Sequence, residues 1–184
     1  VAYNALLKVL EPERNAREES FYIERKTGMY RIRSAPYIES DVHYFEQLIS
    51  LAHKQDSPIL QKQWLLKAIQ QYTGNLYEEN SHIEWLHQER QRYKTLYLKA
   101  VEQLAQLLFE AQHYEQCIQY CEIILSKEPT WEEAYRLTMW CYFYLENKVA
   151  VQKTYERCEQ VLLQQYDMEP MQSTTEIFER LIKI

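Results

Sequence analysis

The chain has 184 residues and a formal net charge of −6, with 46% hydrophobic and 26% charged residues. That balance excludes a disordered chain, and no apolar run approaches the ~18 residues a membrane helix needs. Two glycines and five prolines are too few turn formers for a sheet-rich domain, so the expected class is mostly α.

Residues 2–10 place Ala2, Leu6, Val9 and Leu10 at helical spacing, and Pro12 ends the pattern, which predicts the end of a helix. Asn4 and Lys8 lie one turn apart on its opposite face. Two short β-prone runs follow, Phe21 to Arg25 and Met29 to Arg33, joined through Lys26, Thr27 and Gly28. Gly28 can supply the positive φ of a tight turn, so a β-hairpin with a basic tip is expected. Residues 1–34 hold seven basic residues against five acids, a net charge of +2 that leaves −8 on the rest of the chain. An acidic body repels phosphate, so any nucleic-acid contact is expected from this N-terminal part.

From Asp41 onward helix-start signals recur. Ser57 precedes Pro58, which suits the first helical position. Ser81 to Glu84, Thr130 to Glu133 and Ser173 to Glu176 each have the S/T-x-x-E form of a capping box. They divide the segment into seven expected helices, at residues 41–55, 58–72, 82–112, 114–127, 131–145, 148–166 and 174–183. Leu60, Trp64 and Ala68 read as packing positions of the second.

Within this array Leu108 and Tyr142, Phe109 and Phe143, Cys117 and Val151, Cys121 and Tyr155, and Ile124 and Cys158 pair apolar with apolar at an offset of 34 residues. That is the length of a tetratricopeptide unit, a helix hairpin that must stack on neighbours to bury its apolar face. Leu60 lies 57 residues before Cys117, so an insertion separates the first hairpin from the regular ones. The expected fold is a tetratricopeptide-like array of about seven helices in antiparallel pairs, preceded by a small helix and a β-hairpin.

All four cysteines, Cys117, Cys121, Cys141 and Cys158, fall on apolar helix faces, where a thiol acts as a small hydrophobe. His113, Cys117 and Cys121 stand at i, i+4 and i+8. They leave a tetrahedral metal one ligand short, so packing is the preferred reading and no metal or cofactor is expected. The sixteen tyrosines sit mostly at helical spacing and read as core residues with bonded hydroxyls. No Gly-rich phosphate loop, H-E-x-x-H or G-x-S-x-G occurs, so the chain is not expected to be an enzyme.

Residues 83–182, from Ile83-Glu-Trp-Leu86 through Tyr97-Leu-Lys-Ala-Val-Glu-Gln-Leu-Ala105 to Asp167-Met-Glu-Pro-Met171 and Thr175-Glu-Ile-Phe-Glu-Arg-Leu-Ile182, resemble the bacterial transcriptional activator domain. That domain is the tetratricopeptide-like module of Streptomyces antibiotic regulatory protein-type regulators. Leu7-Lys-Val-Leu-Glu-Pro12 and Ile23-Glu-Arg-Lys-Thr-Gly-Met-Tyr-Arg-Ile32 are similar to the recognition-helix end and β-hairpin wing of an OmpR-like winged helix. The resemblance implies two domains: residues 1–34 as the C-terminal part of a winged helix, and residues 41–184 as the activator domain.

It also implies functions for particular residues. Asn4 and Lys8 on the recognition helix, with Arg25, Lys26 and Thr27 on the wing, would contact promoter DNA. The winged-helix core precedes these elements in the family, so the chain, which opens in mid-pattern at Val1, is expected to be a piece of a longer protein and to seat on DNA only with that core. The concave face of the repeats would carry Lys99, Glu102, Gln106 and Phe109 from one helix, with Glu133, Arg136, Trp140 and Phe143 from the next. Charged residues beside aromatics suit a protein partner such as transcription machinery or a second protomer. The same face could instead be filled by the chain itself, by the long helix at 82–112 or by the last helix. The expected function is a cytoplasmic DNA-binding transcriptional regulator with no membrane contact. The alternative is a tetratricopeptide interaction scaffold with no DNA role.

Overall fold

The computed structural model describes residues 2–15, 18–33, 40–76 and 84–183. The chain divides into two compact units, Val1–Ser40 and Asp41–Ile184.

The first unit contains α1 (Ala2–Leu10) and an antiparallel pair, β1 (Ile23–Lys26) and β2 (Met29–Ile32). Thr27 and Gly28 form the two-residue loop, with φ of 49° and 82°, as a type I′ hairpin turn demands. Leu7 and Ile23 are its buried apolar side chains. This corrects the expected apolar face of α1: Leu6, Val9 and Leu10 are exposed. Between helix and hairpin the chain is pinned by polar bonds. Glu11 Oε1 accepts from Ser20 Oγ at 2.5 Å and from the Tyr22 amide at 3.0 Å, while Ser20 Oγ accepts from the Ile23 amide at 2.9 Å. The Ser20 hydroxyl, opposed by burial and helped by neighbouring amides and Arg14, holds the Glu11 carboxyl below its ordinary pKa.

Among its described residues the second unit's regular elements are all helices: α2 (Asp41–His53), α3 (Pro58–Gln71), α4 (Glu84–Glu110), α5 (Tyr114–Lys127), α6 (Glu132–Tyr144), α7 (Lys148–Tyr166) and α8 (Gln172–Lys183). Each packs on the next, and α6 also touches both α4 and α8. The main core runs from Phe45 and Leu48 on α2 through Leu65, Leu98, Val101 and Leu104 to Ile124 and Tyr135. A second cluster, Met139, Val151 and Leu181, joins α6, α7 and α8. The Tyr135 hydroxyl donates to the Pro129 carbonyl at 2.9 Å, which makes it the expected core tyrosine with a bonded polar end.

The 34-residue period is present in the backbone. Gln112 and Glu146 both have positive φ, 61° and 56°. The Gln112, His113 and Ala111 amides donate to the carbonyls of Phe109, Leu108 and Leu107, and the Glu146, Asn147 and Leu145 amides to those of Phe143, Tyr142 and Cys141. Two left-handed helix ends with the same bonds place α5 and α7 in the same relation to the helices before them.

Details of register and capping depart from expectation. Leu60 is exposed, whereas Leu65 and Ala68 are wholly buried, so the packing face of α3 is rotated from the expected one. Thr130 does not cap α6: its hydroxyl donates to Glu128 at 2.9 Å, and Trp131 occupies the N-cap without a side-chain bond. Ser173 lies inside α8, which begins at Gln172. The box at Ser81 to Glu84 falls mostly outside the described residues. Ser57 precedes Pro58 as expected but makes no side-chain cap bond.

Candidate functional site

In the first unit, Asn4, Lys8, Arg25, Lys26 and Thr27 are all exposed. Arg25 pairs across the hairpin with Tyr30, and Lys26 with Met29. The Arg25 guanidinium lies 5.5 Å from the Tyr30 ring centre, and Tyr3 of α1 packs on the same ring at 4.6 Å. Arg31 is bonded to Glu24 at 2.6 Å and Arg33 to Glu19 at 3.1 Å. Lys8, Arg25 and Lys26 form no ion pair among the described residues. The turn thus presents cations without a carboxylate partner among the described residues.

In the second unit, the expected groove residues follow one another along α4 and α6. Lys99 and Gln106 are exposed, while Glu102 and Phe109 are half-buried. Glu102 accepts from the Trp131 indole N–H at 3.3 Å. Burial, and then the nearby Glu133, raise the Glu102 pKa against the pull of the Trp131 bond, Arg136 and Lys99. Glu133 and Arg136 form an ion pair at 2.5 Å.

Part of the face is filled by the chain itself. Arg136 Nη1 donates to Thr174 Oγ1 of α8 at 2.8 Å. Thr174 in turn donates to Glu132 Oε2 at 2.6 Å, and Glu132 accepts from the Met171 amide at 2.9 Å. The first turn of α8 is therefore anchored by a carboxylate from α6, and Arg136 is bound within the chain rather than offered to a partner. Arg180 of α8 lies over Trp140 at 5.8 Å, and Tyr155 stacks on Phe178 at 4.1 Å.

The open part is aromatic. Tyr144, half exposed to solvent, stacks on Tyr114 at 5.2 Å and meets Phe109, Trp140 and Phe143 at 5.7–6.0 Å. Sequence reasoning found Phe109, Trp140 and Phe143 but missed Tyr144, Tyr114 and Trp131. Tyr144 directly follows Phe143, and its repeat equivalent Glu110 is charged, so the period gave no signal for it.

The cysteines pack as expected. All four are buried. For Cys117 the bond from Cys121 lowers the thiol pKa, but its contact with Cys141 and burial outweigh that and push it up to about 12. The Cys121 thiol is pushed up by its bond to Cys117 and by burial, and burial pushes Cys158 up to about 12. A thiol held protonated is a poor nucleophile and metal ligand. His113, by contrast, is exposed at the N-cap of α5.

No curated protein matches the chain. Among solved structures it is similar to Mycobacterium tuberculosis EmbR in complex with a low-affinity phosphopeptide, with a TM-score of 0.75 at 14% identity. The likeness covers 88% of this chain and 43% of that chain, so this chain spans less than half of it, and at that identity the likeness is one of fold. Residues 40–182, covering nearly all of α2 to α8, match the bacterial transcriptional activator domain, and the chain belongs to that family.

Proposed function

We propose that the chain is the wing and activator module of a DNA-binding transcriptional regulator, in which residues 1–34 complete a winged helix and the helical array holds a protein partner. The observation that carries this reading is the junction at residue 40. An activator-domain match begins there, directly after a helix and hairpin whose tip displays Arg25 and Lys26 without ion partners among the described residues. The exposed Leu6, Val9, Phe21, Met29 and Ile32 supply the apolar surface on which further winged-helix elements would pack. Asn4 and Lys8 would meet the major groove, with the wing on the backbone or minor groove. Among its described residues the array brings no constellation for catalysis together, and its role is to bring a partner to the promoter in the cytoplasm.

Lys26→Ala in the full-length regulator tests this. Loss of one phosphate contact should weaken specific and non-specific DNA alike and reduce the slope of log affinity against log salt by about 1. Tyr144→Ala, on the open part of the array's face, should leave that slope unchanged and reduce transcriptional output. A silent Lys26 change with an altered slope in the array variant would overturn the assignment.

A further inference from the structure

The chemistry of the array's open face narrows what it can hold. Glu102 sits half-buried on α4, and its bonds are neutral: the Trp131 indole at 3.3 Å and the Gln106 amide at 3.5 Å. It forms no ion pair among the described residues. Neither nearby cation pairs with it: Arg136 is held by Glu133, Ser173 and Thr174, and Lys99, on the exposed side of the same helix, makes no ion pair with it. Arg136 and Lys99 offset part of its charge, but burial and the negative charge of Glu133 outweigh them. A partly desolvated carboxylate without an ion pair gains from a cation brought into contact, and more than an exposed one would.

Two helical turns further along, the same face ends in the aromatic shelf centred on Tyr144. Seven residues separate Glu102 from Phe109 and Glu133 from Trp140, a rise of ~10 Å in an α-helix. A polyproline II segment, with three residues per turn and a rise of about 3.1 Å per residue, returns side chains three positions apart to the same side about 9 Å from each other.

We propose that this face docks a polyproline II segment of a partner protein carrying a basic side chain three residues from an aliphatic or aromatic one, the cation on Glu102 and the apolar group on the Tyr144 shelf. The inference rests on the reading of the array as a partner-binding face, and it adds the partner's chemistry. Peptide recognition of this kind joins an apolar anchor to a charge that sets register and selects against acidic competitors.

The test uses the whole chain and three fluorescein-labelled nonapeptides in a Gly/Ser background. One carries Arg and Leu three positions apart, the second has Glu in place of Arg, and the third has Gly in place of Leu. Anisotropy titrations should show the Arg/Leu peptide binding at least about tenfold more tightly than either of the others, with the preference over the Glu peptide falling as salt rises. Glu102→Gln, which keeps the shape and can still accept from Trp131, should abolish that preference. In two-dimensional NMR the Trp131 indole proton should shift on adding the Arg peptide and stay in place with the Glu peptide. Equal binding of the Arg and Glu peptides, both weakened by Tyr144→Ala, would overturn the cation preference while the partner-binding face stands. Absence of any shift at Glu102, Trp131 or Tyr144 at millimolar peptide would overturn both.

Discussion

The two units bury apolar side chains to very different extents. In residues 2–33 Leu7 and Ile23 are buried, and Leu6, Val9, Phe21, Met29 and Ile32 face water. In the array every helix contributes to a buried cluster, α2 to α7 to the main core that starts at Phe45 and Leu48, and α6, α7 and α8 to the second around Leu181. The first unit keeps its shape by local means: a type I′ turn, and a carboxylate at Glu11 that gathers the hydroxyl and amides of the incoming strand. The second keeps its shape by burial, which scales with the apolar area removed from water. The lesson is that order and stability come from different sources in the two units, and that substitutions of the same type must differ in cost between them.

Leu104→Ala gives the largest expected effect. Its side chain is wholly buried at the centre of the array, and its loss should lower the stability of the second unit by about 2–5 kcal/mol in urea titrations. Leu6→Ala, at an exposed position, should change stability by no more than about 0.5 kcal/mol. Comparable losses for the two leucines would break the comparison.

Thr174→Val comes next. It keeps the shape of a buried side chain but removes the hydroxyl that joins Arg136 to Glu132, and should cost about 1–3 kcal/mol through the groups left unpaired. Because those bonds serve α8, hydrogen exchange of the α8 amides should quicken more than that of α4. Uniform quickening would mean that α8 is no more independent than the core.

The smallest effect belongs to Glu102 and carries a definite sign. Its pKa is raised by burial and by Glu133, so the charged form is disfavoured in the folded state. The penalty develops as pH rises through the unfolded value near 4.5 and on through the folded one, and is complete at neutral pH. Glu102→Gln should therefore raise the melting temperature slightly at pH 7, and the difference should vanish as the pH falls to 4. A destabilised variant at pH 7 would show that the carboxylate is compensated within the fold.

The array was more legible in the sequence than the first unit, for a physical reason. Helices of 12 to 27 residues repeat their apolar positions often enough for the period to emerge, and α5 and α7 begin at the expected residues. Helix α1 has nine residues, and Leu6, Leu7, Val9 and Leu10 cover more than one side of it. With apolar residues around so much of a short helix, spacing could not select Leu7. The capping box at Thr130 to Glu133 failed for another reason. Its spacing fits the local rule, but Thr130 bonds to Glu128 and Glu133 pairs with Arg136, which in turn holds Thr174 of α8, about 40 residues away. The site was legible in half: the aromatic positions at repeat spacing were found, while Tyr144 and Trp131 depend on neighbours brought in by the fold.

The carboxylate of Glu132 belongs to one repeat and closes the first turn of the helix that begins the next. A helix capped from a distance cannot start by itself, because nucleation is the costly step and its stabilising partner exists only once α6 is in place. The C-terminal helix is thus a dependent element: it should form after its neighbour and open before it, a foldon of low local stability lying over Arg136 and Trp140. Access to that part of the face is then governed by an opening equilibrium rather than by a fixed shape.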